Sequence, residues 1–188
     1  MTAVTEQERQ ALLALAWQSI RQTLQQGRLP GIHLEDLPVA LREPGACFVT
    51  LTKHGQLRGC IGSLQAHRPL ALDVLHNASA AAFRDPRFPP VVTDELKQLS
   101  LHISVLGPSE ALLADNEAEL LAQLRPGIDG LTLDDGAHRA TFLPSVWEQL
   151  PEAAQFLRQL KRKAGLADEY WSDSLRFERY QCEYLGDP

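Results

Sequence analysis

Leu57-Arg58-Gly59-Cys60-Ile61-Gly62 sets one thiol and one guanidinium among two glycines. Glycine lets the backbone bend or come close to another group, so the sulfur or the amide of Cys60 can sit where something reaches it. Two chemistries fit this pattern. In the first, Cys60 is a nucleophile or redox thiol. Thiolate chemistry needs a lowered pKa, which a neighbouring guanidinium or imidazolium supplies, so Arg58 would anchor an anionic group and His102 would act as base. In the second, the amides of Gly59 and Gly62 together with Arg58 shape a binding pocket, and Cys60 simply fits. A plainer reading makes Cys60 a small buried residue on a strand that kinks at glycine. Asp85 and Arg87 lie in Arg84-Asp85-Pro86-Arg87-Phe88-Pro89-Pro90, a stiff loop of charges and prolines. It reads as a structural corner, in which Asp85 pairs with Arg87 or caps backbone, or as a ligand-facing loop. No set of acid, base and orienting group completes a recognised mechanism, so a binding module is the preferred expectation over an enzyme.

These residues need elements to hold them. Thr5-Glu6-Gln7-Glu8 is a capping-box pattern, and Leu12, Leu15, Ala16, Ile20 and Leu24 follow at helical intervals up to Gly27. Residues 28–45 hold three prolines and two glycines and read as an irregular crossing segment. Residues 46–53 are rich in β-formers, His54-Gly55 is a tight turn, and residues 56–61 run back, which puts the sextet on the return strand of a hairpin. Pro69 opens a helix whose second half is mostly small residues, and Asp85-Pro86 stops it. Leu99, Leu101, Ile103 and Val105 alternate with Ser100, His102 and Ser104, so His102 faces the polar side of a strand. Further on, Asn116 and Glu119 begin a short helix, Asp135-Gly136 turns a hairpin, and Pro144 and Pro151 open helices. Residues 175–185 read as one edge or closing strand. Strand pairs separated by helices give an α+β fold with a largely antiparallel sheet packed with helices, in a single domain spanning residues 1–188.

With 44% hydrophobic and 22% charged residues, the 188-residue chain has the composition of an ordinary soluble globular protein. A net charge of −6 argues against nucleic-acid binding, which needs a concentrated positive field. The one basic cluster, Arg158, Lys161, Arg162 and Lys163, reads as a solvated helix face. His76 and Asp73 read as a surface hydrogen-bonded pair one helical turn apart. Cys47, Cys60 and Cys182 form no Cys-x-x-Cys pair and the six histidines no His-x-x-x-His, so reduced thiols are expected and neither metal nor other cofactor. Met1-Thr2-Ala3-Val4-Thr5-Glu6-Gln7-Glu8 lacks the cationic and apolar regions of a secretory signal, and no apolar run would span a membrane, so a cytoplasmic protein is expected.

Taken in order, the motifs resemble those of the AMMECR domain family, and within it the bacterial AmmeMemoRadiSam system protein A. The sextet at 57–62 is followed by Pro69-Leu70, Ala81-Ala82-Phe83, Asp85-Pro86-Arg87-Phe88, residues 101–108, Gly127 to Leu131, Phe142-Leu143-Pro144 before Trp147, and Lys163-Ala164-Gly165-Leu166. Some members carry a basic residue and a histidine where this chain has Ile128-Asp129. The resemblance implies an α+β fold with a main lobe and a smaller second lobe drawn from the middle of the chain. It implies no settled reaction. It does imply a pathway or complex shared with a Memo-type protein and a radical-SAM protein. The small-molecule ligand of unknown identity belongs to the binding-module reading of the sextet.

Overall fold

The first helix, α1 (Glu6–Gln26), begins where its sequence says it should. Thr5 accepts from the Glu8 amide, the Glu8 carboxylate accepts from the Thr5 amide, and Gly27 closes the far end in a left-handed conformation. The structure is a computed structural model that describes residues 4–186. Met1-Thr2-Ala3 of the opening stretch lie outside the described residues. Along α1, Leu12, Leu13, Leu15, Ala16 and Ile20 are buried. The crossing segment carries a 3₁₀ turn at Leu34–Asp36, the one-turn helix α2 (Val39–Arg42), and β1 (Pro44–Gly45).

The hairpin follows, with β2 (Cys47–Lys53) and β3 (Gln56–Gly62) joined by His54-Gly55, both at positive φ as the tightest hairpin turns require. After β4 (Arg68–Pro69), which pairs with β1, the chain enters α3 (Leu70–Phe83) and then β5 (Leu99–Leu106). Cys47, Val49 and Leu51 point from β2 into a core shared with α1 and α3, whereas Phe48, Thr50 and Thr52 point to the other face.

Residues 107–182 form a second compact unit between β5 and the C-terminal strand. It contains β6 (Glu110–Leu112), α4 (Glu117–Gln123), β7 (Gly130–Asp134), β8 (Arg139–Phe142), α5 (Ala153–Lys163) and β9 (Arg176–Tyr180), with sheet order β6-β9-β7-β8. Its core stacks Trp147 on Phe156 at 3.8 Å, with Phe142 edge-on at 5.2 Å. The chain then returns to the first unit as β10 (Cys182–Gly186), and the sheet there runs β10-β5-β2-β3. The pairs β1/β4, β2/β3, β2/β5, β6/β9, β7/β8 and β7/β9 are antiparallel, in keeping with the α+β reading.

Three local expectations are corrected. Residues 175–185 are two strands in two different sheets, and β9 is central in its own sheet, because the chain crosses between units at Gln181. Asp73 is not a surface partner of His76: it is fully buried and accepts from Ser63, Arg68, Asn77 and the Cys47 amide. Lys161 is not solvated but fully buried, with its ammonium donating to Glu117 at 2.5 Å and to the Asp168 carbonyl at 2.9 Å. Burial of a cation is tolerated there because both bonds are present.

Candidate functional site

Strand β3 is the edge of its sheet, and an edge residue has backbone groups with no strand to pair with. At Cys60 two side chains take that place. The Cys60 amide donates to Asp85 Oδ2 at 2.9 Å, and Arg87 Nη2 donates to the Cys60 carbonyl at 3.3 Å. Asp85 and Arg87 are themselves joined in a bidentate ion pair, with Nε to Oδ1 at 2.9 Å and Nη2 to Oδ2 at 2.7 Å. The Arg87 guanidinium, helped by the Cys60 and Arg87 amides, holds the buried Asp85 carboxyl well below the usual carboxylate range despite burial. The pair thus imitates one residue of an adjoining strand, which is the structural-corner function read from the loop.

The hairpin register decides which side chains meet. A β-bulge between Leu51 and Thr52 leaves Arg58 without a partner across the hairpin, so Leu51 faces Gly59 and Thr50 faces Cys60. Cys60 therefore shares the face of Thr50, away from α3, and Thr50 Oγ1 donates to its sulfur at 3.2 Å. Arg58 goes the other way. Arg58 Nε and Lys53 Nζ both reach Glu95 Oε1 at 3.1 Å, so Arg58 lies on the side of Lys53 and Leu51, toward α3. Arg58 Nη2 adds a bond to Glu95 Oε2 at 2.8 Å. The Arg58 guanidinium, with Lys53 and the Val92 amide, pulls Glu95 down to about 2 against the opposing effect of burial. The guanidinium bonded to Cys60 is consequently that of Arg87, not Arg58.

His102 also sits opposite Thr50, on β5, so Cys60, Thr50 and His102 form one row across three strands. Two strand spacings separate the backbones of Cys60 and His102, about 10 Å. The imidazole leans away from the row: Nδ1 is 2.7 Å from where a Cβ on Gly186 would stand, on the β10 side of β5. The structure brings Cys60, Asp85 and Arg87 together and leaves His102 outside the group.

Neither glycine of the sextet has positive φ. Both are there for close approach. A Cβ on Gly59 would run into the Ala81 carbonyl oxygen of α3, and one on Gly62 would overlap the Phe48 ring and stand 2.6 Å from the Cys47 carbonyl oxygen. Gly59 and the small residues of α3 are thus two halves of one contact, whereas Gly62 makes room for its hairpin neighbour on β2. Just beyond the sextet, Ser63 and Asn77 join the buried Asp73 network that holds the start of β2 against α3.

Sequence reasoning missed Thr50, Glu95 and Asp73. Glu95 carries no signal beyond its charge, Asp73 reads from sequence only as a surface partner of His76, and Thr50 comes opposite Cys60 only through the bulge. A family model described as AMMECR1 matches residues 13–185. The chain belongs to the AMMECR1 family. A relative from Methanothermobacter thermautotrophicus is 38% identical over 162 residues, covering 85% of this chain and 82% of that protein. One from Thermotoga maritima is 39% identical over 153 residues, covering 79% and 82%. The crystal structure of uncharacterized protein PH0010 from Pyrococcus horikoshii superposes with a TM-score of 0.84 at 31% identity, covering 92% of this chain and 88% of that one. Asp129 is fully buried and accepts from the Arg125 amide and guanidinium. No helix among the described residues is long and apolar enough to cross a membrane.

Proposed function

We propose that this AMMECR1-family chain is a small-ligand-binding module of the AmmeMemoRadiSam protein A type, with its site around residues 57–62 and its work done alongside a Memo-type and a radical-SAM protein. The observation that carries this is the commitment of the sextet to fixed partners. Asp85 and Arg87 hold the Cys60 backbone, Glu95 holds Arg58, α3 abuts Gly59, and among the described residues the Cys60 sulfur is bonded by the Thr50 hydroxyl rather than by a histidine. A rigid, braced edge of this kind suits recognition, because a binding group held in place loses little freedom when its ligand arrives. The test is amide NMR of the chain during separate titrations with small anions, neutral metabolites, and Memo-type and radical-SAM proteins. Perturbations centred on residues 57–62 and 85–88 support the module. Probes that all leave both stretches unmoved overturn it.

One contact favours the second reading, a cysteine-dependent enzyme: Thr50 donates to the Cys60 sulfur and Arg87 lies beside it, so a thiolate there would have a donor and a cation. The other two thiols make a built-in comparison. Burial, then Asp73, pushes Cys47 well up, and burial pushes Cys182 up to about 12. In native protein at pH 7, iodoacetamide should modify Cys60 at least tenfold faster than Cys47 or Cys182, read by mass spectrometry. Protection of Cys60 until unfolding removes it as a nucleophile.

A further inference from the structure

A guanidinium has five N–H groups in a fixed planar fork. At Arg58, Nε and Nη2 are spent on Glu95, along one edge of the fork. The end of the fork, formed by Nη1 and the second hydrogen of Nη2, is what remains. Arg58 is 8% exposed, and among the described residues its Nη1 is the one buried side-chain nitrogen or oxygen with no hydrogen-bond partner. A buried donor of a charged group is costly to leave unmatched, and this one is held in place by a bidentate salt bridge that prevents it from turning outward.

The charges around it point to the kind of acceptor. Lys53 and Arg58 together bring two positive charges to the single carboxylate of Glu95. The neighbouring Asp85 and Arg87 neutralise one another. The group is therefore one negative charge short. A neutral acceptor would complete the hydrogen bonds of Arg58 but not that balance, whereas an oxyanion completes both, and two of its oxygens match the free end of the fork. The Phe88 ring stands beside the same guanidinium, with its centroid 6.0 Å from Arg58 Cζ and 5.5 Å from Arg87 Cζ. It supplies an apolar wall for whatever carries the anion.

We propose that the free end of the Arg58 fork is the anchor of a small oxyanion, a carboxylate or a phosphate, whose remaining part lies along Phe88. This rests on the reading of the sextet as a binding module and names the chemistry of its ligand. It also assigns the two arginines different tasks: Arg87 braces Cys60, and Arg58 binds.

The experiment uses the full chain, uniformly labelled with ¹⁵N, and follows the Arg58 side-chain signals while inorganic phosphate or acetate is added at ionic strength matched with chloride. The expected result is a saturable shift of the Arg58 signals with at least one probe. A response confined to phosphate and strengthened as it takes its second charge identifies a phosphorylated ligand, and a response to acetate identifies a carboxylate. Arg58→Lys keeps the charge and removes the fork, and should weaken the apparent affinity at least tenfold. If that variant does not fold, the wild-type titration decides alone. Probes that move the amides of 57–62 and leave the Arg58 side chain unmoved overturn the oxyanion assignment while the binding module stands. Probes that move neither overturn both.

Discussion

Glu95 was an unremarked acid in a charged turn, and it proves to be where Arg58, Lys53 and the Val92 amide converge. That convergence has a pH signature. Its folded-state pKa of about 2 lies below its ordinary value of 4.5, so the folded form favours the carboxylate. The stabilisation is fully present above the ordinary value and is lost as the pH falls from there toward 2. The size is on the order of 3 kcal/mol, since each pKa unit corresponds to about 1.4 kcal/mol. Urea denaturation between pH 6 and about 2.5 should therefore show stability falling with acid, and Glu95→Gln should flatten much of that fall while lowering stability at neutral pH. Equal acid slopes in the two proteins would mean that the Arg58 to Glu95 link does not hold in solution. Asp85, also depressed by its guanidinium, adds to the fall in the same direction.

At the scale of elements, the contact between β3 and α3 is backbone against backbone. Gly59→Ala would drive a methyl into the Ala81 carbonyl oxygen, and neither strand nor helix can yield without moving a hydrogen-bonded ladder. The expected loss is about 3 kcal/mol or more, beyond the usual range for overpacking by one methyl because the obstacle is main chain. Thermal melts of Gly59→Ala and, as a comparison, Gly55→Ala separate this from positive-φ strain, since Gly55 has φ 77° and open space around it. An unchanged melting temperature for Gly59→Ala would remove the contact as a determinant. The hairpin also marks where sequence reasoning stops. Alternation, capping residues and turn chemistry place α1, β2, β3, α3 and β5 closely, because each is a local signal. A regular two-residue turn at His54-Gly55, counted back, would set Cys60 opposite Val49, inside the core. The bulge shifts the register by one and turns Cys60 to the face of Thr50. Gly59 hints at a kink but does not fix its register: the bulge lets Arg58 reach Glu95 and Gly59 meet α3, and both partners are distant in sequence. The pairing of Cys60 with Arg87 rather than Arg58 was hidden for the same reason.

At the scale of the molecule, the 107–182 unit leaves and re-enters the chain at neighbouring points: the Gly107 amide donates to the Gln181 carbonyl at 2.8 Å, and β5 and β10, which flank the unit, are adjacent in their sheet. Replacing residues 107–182 by a two-residue Asn-Gly turn should leave the remaining unit folded, with a cooperative melt and dispersed amide signals. A non-cooperative melt would show that the first unit cannot stand without the insertion. The same closure bears on how the chain is made. Synthesis supplies every strand of the first sheet except β10 long before the last residues emerge, and β10 must then find β5 across about 75 residues. Left unfolded, that loop carries an entropic cost that grows with the logarithm of its length; once folded, the insertion holds its ends one hydrogen bond apart and the loop shortens to a turn, a difference of about 2–3 kcal/mol. The folded second unit thus serves the first as a splint: it holds the entry to the final strand beside the end of β5, so the loop that β10 must close is no longer than a turn.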